Sequence, residues 1–297
     1  MIKVNTESLK AKIALYETLI NKYEEVTYDL FKTLERTSDF WQDPRANFFY
    51  SQIAEQKMVT RKLQTNMKKR KNFYEEIYKK YSKFGKTIAC DVEQKQAMLQ
   101  KLSYGIEQLD LITRRFNNLD IFFVFSQKNA LLEQKRRITK LRNEWRNYQN
   151  ALTKFLGQVD DIESEMKRKL KELEEIKIEP FILTEQTGKV KTVSVSMNLI
   201  EMNSYIPKIR VYCTEEERSL NKIKAFLRDI SDCYESNNAT EQTLSNERFV
   251  HNFPLLVENR QVYIATLQAS CRQYKEVSAH NVKLFQETNY DEVKKNG

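Results

Sequence analysis

The chain has 297 residues, with 50 Lys and Arg against 41 Asp and Glu, a net charge of +9 and 40% hydrophobic residues. Five Gly and four Pro are too few for a turn-rich β fold, and the abundant Leu, Lys, Glu, Gln and Arg are good helix formers, so an all-α protein is predicted. The longest apolar run, Ile121–Phe125, falls far short of the roughly 20 residues of a membrane span.

The start, MIKVNTESLKAK, has no apolar signal core. A cytoplasmic protein is expected, and any export would proceed without a cleavable signal peptide, as part of a complex. From there Leu9, Ile13, Tyr16, Ile20, Tyr23, Leu30 and Leu34 recur at helical spacing. The helix breaks in "SDFWQDPRA" (38–46), where Asp43-Pro44 ends one helix and opens the next. A second helix follows through Phe49, Ile53, Leu63, Met67, Tyr74, Ile77, Tyr81, Phe84 and Ile88. Two long helices joined by a short turn predict an antiparallel hairpin over 1–92.

The pattern restarts with Leu102, Ile106, Leu109, Ile112, Phe116 and Leu119. After the cluster IFFVF it continues through Ile138, Leu141, Trp145, Tyr148, Leu152, Phe155, Val159, Ile162, Met166, Leu170 and Leu173. The second run alternates steps of three and four, which predicts a bundle or coiled-coil seam and a second hairpin over 93–177. The β-formers of "IEPFILTEQTGKVKTVSVS" around Thr187-Gly188 predict a small β-hairpin or extended insert at 178–196. A third hairpin is expected over 197–297, from Met202, Ile206, Ile209, Cys213, Leu220, Ile223, Leu227 and Ile230, a break at 231–242, and Phe249, Phe253, Leu256, Tyr263, Leu267, Tyr274, Val277 and Leu284. The fold expected is therefore three tandem antiparallel helical hairpins with one β-like insert.

Two hairpins align at an offset of 193. Leu9, Ile13, Tyr16 and Ile20 fall on Met202, Ile206, Ile209 and Cys213, and "SDFWQDPRA" falls on "SDCYESNNA" (231–239). The middle unit fits loosely, with "AEQKMVTRKL" (54–63) on "LEQKRRITKL" (132–141). An internal triplication is expected.

The turn residues Trp41, Gln42 and Asp43, with Ala46 and Phe49 behind them, resemble the turn of the WXG-type small helical-hairpin proteins of type VII secretion in Gram-positive bacteria. The chain is closer to the relatives that accompany LXG-domain toxins, where the third motif position is often acidic. Asp43 stands where the WXG family has glycine. The resemblance covers 1–90 well, 197–290 weakly and 96–175 only as a hairpin. It implies a non-enzymatic targeting adaptor whose partner is an LXG-type toxin or another WXG-like hairpin protein, with the secretion ATPase as a further reader. It also implies a partner-binding tip at Phe40, Trp41, Asp43, Ala46 and Phe49, with Tyr234, Ser236 and Ala239 at the equivalent turn. The family's carboxy-terminal Y-x-x-x-[D/E] signal is absent, since Tyr290 is followed four residues later by Lys294. Either a partner chain supplies the signal or this protein is not itself exported, and both alternatives favour an adaptor over a secreted substrate.

Physically, Asp43 can accept from the free N–H groups that open the second helix and faces the positive end of its dipole. Trp41 can fold over the turn as a lid or stand out as an anchor. Residues 57–86 hold eleven Lys and Arg against Glu75 and Glu76, so Lys68, Lys69, Arg70, Lys71, Lys79 and Lys80 form a candidate basic patch. Nucleic acid and a membrane surface are the weaker occupants, because Tyr74, Ile77, Tyr81 and Phe84 share one helical face and read as core. Ile121, Phe122, Phe123 and Phe125 are a candidate apolar contact patch, or pack under a neighbouring hairpin. Cys90, Cys213, Cys233 and Cys271 lack metal-ligand spacing and read as buried thiols. His251 and His280 have no orienting acid or oxyanion loop, and no P-loop, HExxH or CxxC occurs, so no catalytic residue, cofactor or metal is expected. Two other readings stand beside the adaptor: a scaffold that forms homo-oligomers through the seam 138–173, and a membrane-active helical toxin.

Overall fold

A computed structural model describes residues 1–119, 125–173, 175–182 and 196–295. Side chains are described except at 119, 125–127 and 284–295. The protein is mostly helical with small antiparallel strand pairs. In chain order, β1 (Ile2–Asn5) leads into α1 (Thr6–Thr37), β2 (Trp41–Gln42) and α2 (Pro44–Tyr81). Then come β3 (Thr87–Cys90), α3 (Val92–Leu119) and α4 (Phe125–Lys171). The last part is β4 (Ser196–Met197), α5 (Leu199–Asp229), β5 (Tyr234–Glu235), α6 (Ala239–His251) and α7 (Phe253–Lys295). No described helix is long and apolar enough to cross a membrane.

Packing divides the chain into two units, each drawn from three stretches. The first comprises 1–10, 75–172 and 231–241, and the second 11–74, 173–230 and 242–297. Hairpins expected to follow one another as 1–92, 93–177 and 197–297 thus contribute to shared cores, because an amphipathic helix pair buries its open face only against further helices.

In the second unit one apolar cluster joins Leu30, Phe31 and Leu34 of α1 to Phe49 and Ile53 of α2, Met202, Ile206, Ile209 and Cys213 of α5, and Tyr263, Ile264, Leu267 and Cys271 of α7. Hairpins that lie 193 residues apart in sequence therefore close one four-helix core. Pro207 falls inside α5 without ending it. The second helix of this repeat is interrupted at Asn252, between α6 and α7. Beyond the interruption the apolar register is better matched at 190, with Leu63, Ile77 and Tyr81 falling on Phe253, Leu267 and Cys271. Most of the expected β insert, 183–195, lies outside the described residues. Ahead of it the chain is irregular, and Phe181 enters the core, with its N–H bonded to Asn259 Oδ1 at 2.7 Å and its ring 4.8 Å from Tyr263.

In the first unit α3 and α4 form an antiparallel pair. Near its base, Leu152, Leu156, Val159, Ile162, Met166 and Leu170 of α4 are buried, so this part of the seam is filled by the chain itself. Farther out, over 107–118 and 128–151, no residue is buried. The seam there also differs from the expected one. Arg142 bonds Asp110 at 3.0 Å and Gln149 bonds Ser103 at 2.7 Å across it, while Leu141 and Tyr148 are exposed. At these two positions the side chain bonded to α3 is one farther along α4 than the apolar spacing implies, while Trp145 keeps its expected place against α3.

Gly105 sits under Trp145 in this pair, where an added Cβ would run into the indole ring. Gly105→Ala is therefore expected to destabilise the protein by about 1–3 kcal/mol through overpacking, although alanine is the better helix former by about 1 kcal/mol. Thermal unfolding followed by circular dichroism checks this. In a Trp145→Leu background the same substitution should stabilise.

Candidate functional site

The two turns singled out in the sequence are built alike. In the second unit, β2 at the first turn pairs antiparallel with β4, Trp41 opposite Met197 and Gln42 opposite Ser196. In the first unit, β5 at the other turn pairs antiparallel with β1, Tyr234 opposite Val4 and Glu235 opposite Lys3. Adding 193 to the residue of the first hairpin and subtracting it from that of the other converts each pair into the other. The flanking bonds match as well: Asn198 N–H donates to Phe40 O at 2.8 Å, and Asn5 N–H to Cys233 O at 2.9 Å. So do the helix starts, where Asn5 and Asn198 accept from the N–H three residues on, at 3.0 and 3.2 Å. Each hairpin's leading strand is spent on the other hairpin's turn. β1 also pairs with β3, from Ile2 opposite Cys90 to Asn5 opposite Thr87.

At the first turn Asp43 carries three bonds. Its Oδ1 accepts from Ala46 N–H at 2.6 Å, and its Oδ2 accepts from Trp41 Nε1 at 2.9 Å and Tyr274 Oη at 2.8 Å. The carboxylate thus caps α2 and ties the indole and α7 to the turn. Burial, and then the bond to Asp43, raise the Tyr274 hydroxyl above its ordinary value. Trp41, 1% exposed, lies 5.6 Å from Phe49. Ala46 and Phe49 are likewise buried, while Phe40 is half-buried against Tyr205. Of the two readings of Trp41, lid or anchor, the geometry matches the lid: β4 pairs with its strand and Tyr274 of α7 shares its Asp43 partner, and the indole is buried.

At the second turn, within the first unit, Tyr234 and Ser236 are also buried. Ser236 Oγ accepts from Asn238 N–H at 3.1 Å, in place of the aspartate cap. Glu163 of α4 collects the turn: Tyr81 Oη donates to it at 2.6 Å, Tyr234 Oη at 3.3 Å and Asn238 Nδ2 at 3.2 Å. Ala239 opens α6, half-buried.

Of the six residues of the basic patch Arg70 is buried, Lys71 and Lys80 are half-buried, and Lys68, Lys69 and Lys79 are exposed. Arg70, 2% exposed, donates to Asn66, Ser245 and Asn246 and lies over the Phe249 ring. Burial lowers its pKa. Lys68 pairs with Glu24 at 2.6 Å, Lys71 with Glu17 at 2.9 Å, and Lys80 with Glu165. Lys69 also has an interaction partner, and Lys79 is exposed in the last turn of α2. Ile121, Phe122 and Phe123 lie outside the described residues, as does the Phe125 side chain. All four cysteines are free and buried, and burial pushes the Cys213 thiol up to about 12.

One group was not singled out in the sequence. Arg260 and Glu216, each 1% exposed, form an ion pair at 2.7 Å. Tyr23 donates to Glu216 at 3.2 Å, and Arg260 donates to Tyr263 at 2.5 Å and Thr60 at 2.8 Å. Burial is the largest single influence and works against the Arg260 charge, but Glu216, Tyr263 and Tyr23 together outweigh it and raise the pKa. The signal was present: Arg260 stands between Leu256 and Tyr263 at seam spacing, as Arg70 stands between Met67 and Tyr74. Among the described residues no cluster of three or more His, Cys, Asp or Glu could hold a metal. No protein-family model matches the chain, nor does any curated protein or solved structure.

Arg260→Met leaves Glu216 charged and buried, with an expected loss of about 3–5 kcal/mol in urea unfolding. The double change Arg260→Met, Glu216→Met should recover most of it. Burial also raises the pKa of Tyr16, Tyr23, Tyr50, Tyr81 and Tyr263 in the folded state. The unfolded chain releases these protons first, from about pH 10, so stability should fall as pH rises beyond that point. Phenolate absorbance at 295 nm from these tyrosines should appear together with loss of helicity, not before it.

Proposed function

We propose that the protein is a non-enzymatic, WXG-like adaptor of type VII secretion, in which two hairpins of that kind are fused in one chain and engage a helical partner. The observation that supports this most is the pair of equivalent turns, Trp41 to Asp43 and Tyr234 to Ser236, each closed by the leading strand of the other repeat. An aromatic lid beside a helix cap at each turn fits the resemblance at Trp41 and extends it to residues 231–239. The self-pairing has a consequence for the partner. The apolar faces of α1, α2, α5 and α7 are satisfied within the chain, so an LXG-type toxin or further hairpin protein docks elsewhere than on these faces.

Purification of the tagged full-length protein from its native cells, with mass spectrometry of what accompanies it, tests the reading. The expected result is an LXG-type or hairpin-type protein in near-equal amount. Recovery of this chain alone, at a mass above 35.5 kDa by light scattering, would instead establish a self-associating scaffold.

A further inference from the structure

Among the described residues of the first unit, the outer part of the α3/α4 pair is where helices lack a covering layer. Over 107–118 and 128–151 no residue is buried, although the seam itself is ordered by Asp110, Arg142, Ser103 and Gln149.

The seam has two flanks. Asp110 and Arg146, bonded at 2.9 Å, mark one. On a helical wheel Met98, Gly105 and Ile112 of α3 fall on the other, spaced by seven residues. Leu141 and Tyr148 of α4, also seven apart, fall on that same flank, since Arg146 lies across the seam axis from both. Met98 is 37%, Ile112 39%, Leu141 39% and Tyr148 52% exposed. One side of the pair therefore presents an apolar stripe contributed by both helices, with Gly105 and the Trp145 ring between its ends.

Charge frames the stripe. Lys101 and Arg115 border it on α3, and Arg137 and Glu144 on α4. Arg137 meets Glu133 at 3.2 Å, while Lys101 and Arg115 have no acidic partner among the described residues. Farther around the pair, Arg114, Lys128, Lys135 and Arg136 add positive charge with no ion pair among the described residues.

We propose that this stripe is a docking site for an acidic amphipathic helix of a partner protein, which completes a three-helix layer on α3 and α4. Seven-residue apolar spacing from two antiparallel helices is what a third helix packs against, and a positive rim selects a partner with acidic flanks. A second copy of this chain would bring like-charged rims together. The 28 residues of α3 give room for a helix of about 40 Å. The proposal rests on the adaptor reading only in taking the occupant to be a protein.

The probe is a synthetic 28-residue peptide with Leu and Ile at core heptad positions and Glu at the flanking ones, labelled for fluorescence anisotropy against the full-length protein. Saturable binding is expected, weakened about tenfold by Leu141→Glu, and equally by K101E/R115E/R137E. Leu132→Ser, an equally exposed apolar residue on the opposite flank, should leave it unchanged, and circular dichroism should show each variant folded. Equal binding of a scrambled peptide would overturn the proposal, as would an equal loss with Leu132→Ser. So would capture of the protein by vesicles of 3:1 phosphatidylcholine and phosphatidylglycerol, or by duplex DNA, that Leu141→Glu abolishes while peptide binding is absent. Purification from native cells separates the two readings. If Leu141→Glu still brings down the wild-type amount of partner, the stripe fails and the adaptor stands. If the wild-type protein brings down none, the adaptor fails on its own.

Discussion

A two-helix hairpin has one apolar face too many, and the architecture follows from how each such face is covered. Two hairpins 193 residues apart in sequence cover one another, placing α1, α2, α5 and α7 around a common cluster. The leading strand of each is spent on the turn of the other, which gives backbone groups at both turns a partner. The third pair, α3 and α4, is covered only at its base.

Polar chemistry inside the protein serves the same end. Glu216 with Arg260 is a desolvated ion pair in which Glu216 also accepts from Tyr23 and Arg260 also donates to Tyr263 and Thr60. Such pairs add little net stability but penalise any register that breaks them, and helices with regular apolar spacing have several competing registers. Asp43 acts similarly at its turn, where one carboxylate joins the helix start, the indole and Tyr274. An aromatic lid held this way makes Trp41 part of the framework.

The functional reading therefore moves within the molecule. The tip that resembles a secretion motif is internal, and the helical faces that would bind a sister hairpin are occupied by the repeat. Among the described residues, a stripe on the α3/α4 pair with a basic rim stays open. Leu141 and Tyr148 are apolar residues whose spacing marks them as core, yet they face outward because Arg142 and Gln149 have taken the seam positions.

The sequence by itself determined the helices, the break at 38–46, the equivalence of that break with 231–239 and the capping role of Asp43. These depend on local propensity, spacing and the hydrogen bonds of neighbouring residues. It could not decide which hairpin covers which. The faces of α1, α2 and α5 are similar in composition, so only the packed structure distinguishes partners, and the strand exchange joins residues about 155 to 230 apart. Arg70 counted as surface charge in composition but is core in the fold, since burial depends on what lies opposite, here Ser245 and Asn246. For the same reason only the tertiary structure could show that Trp41 is covered and that Leu141 is not.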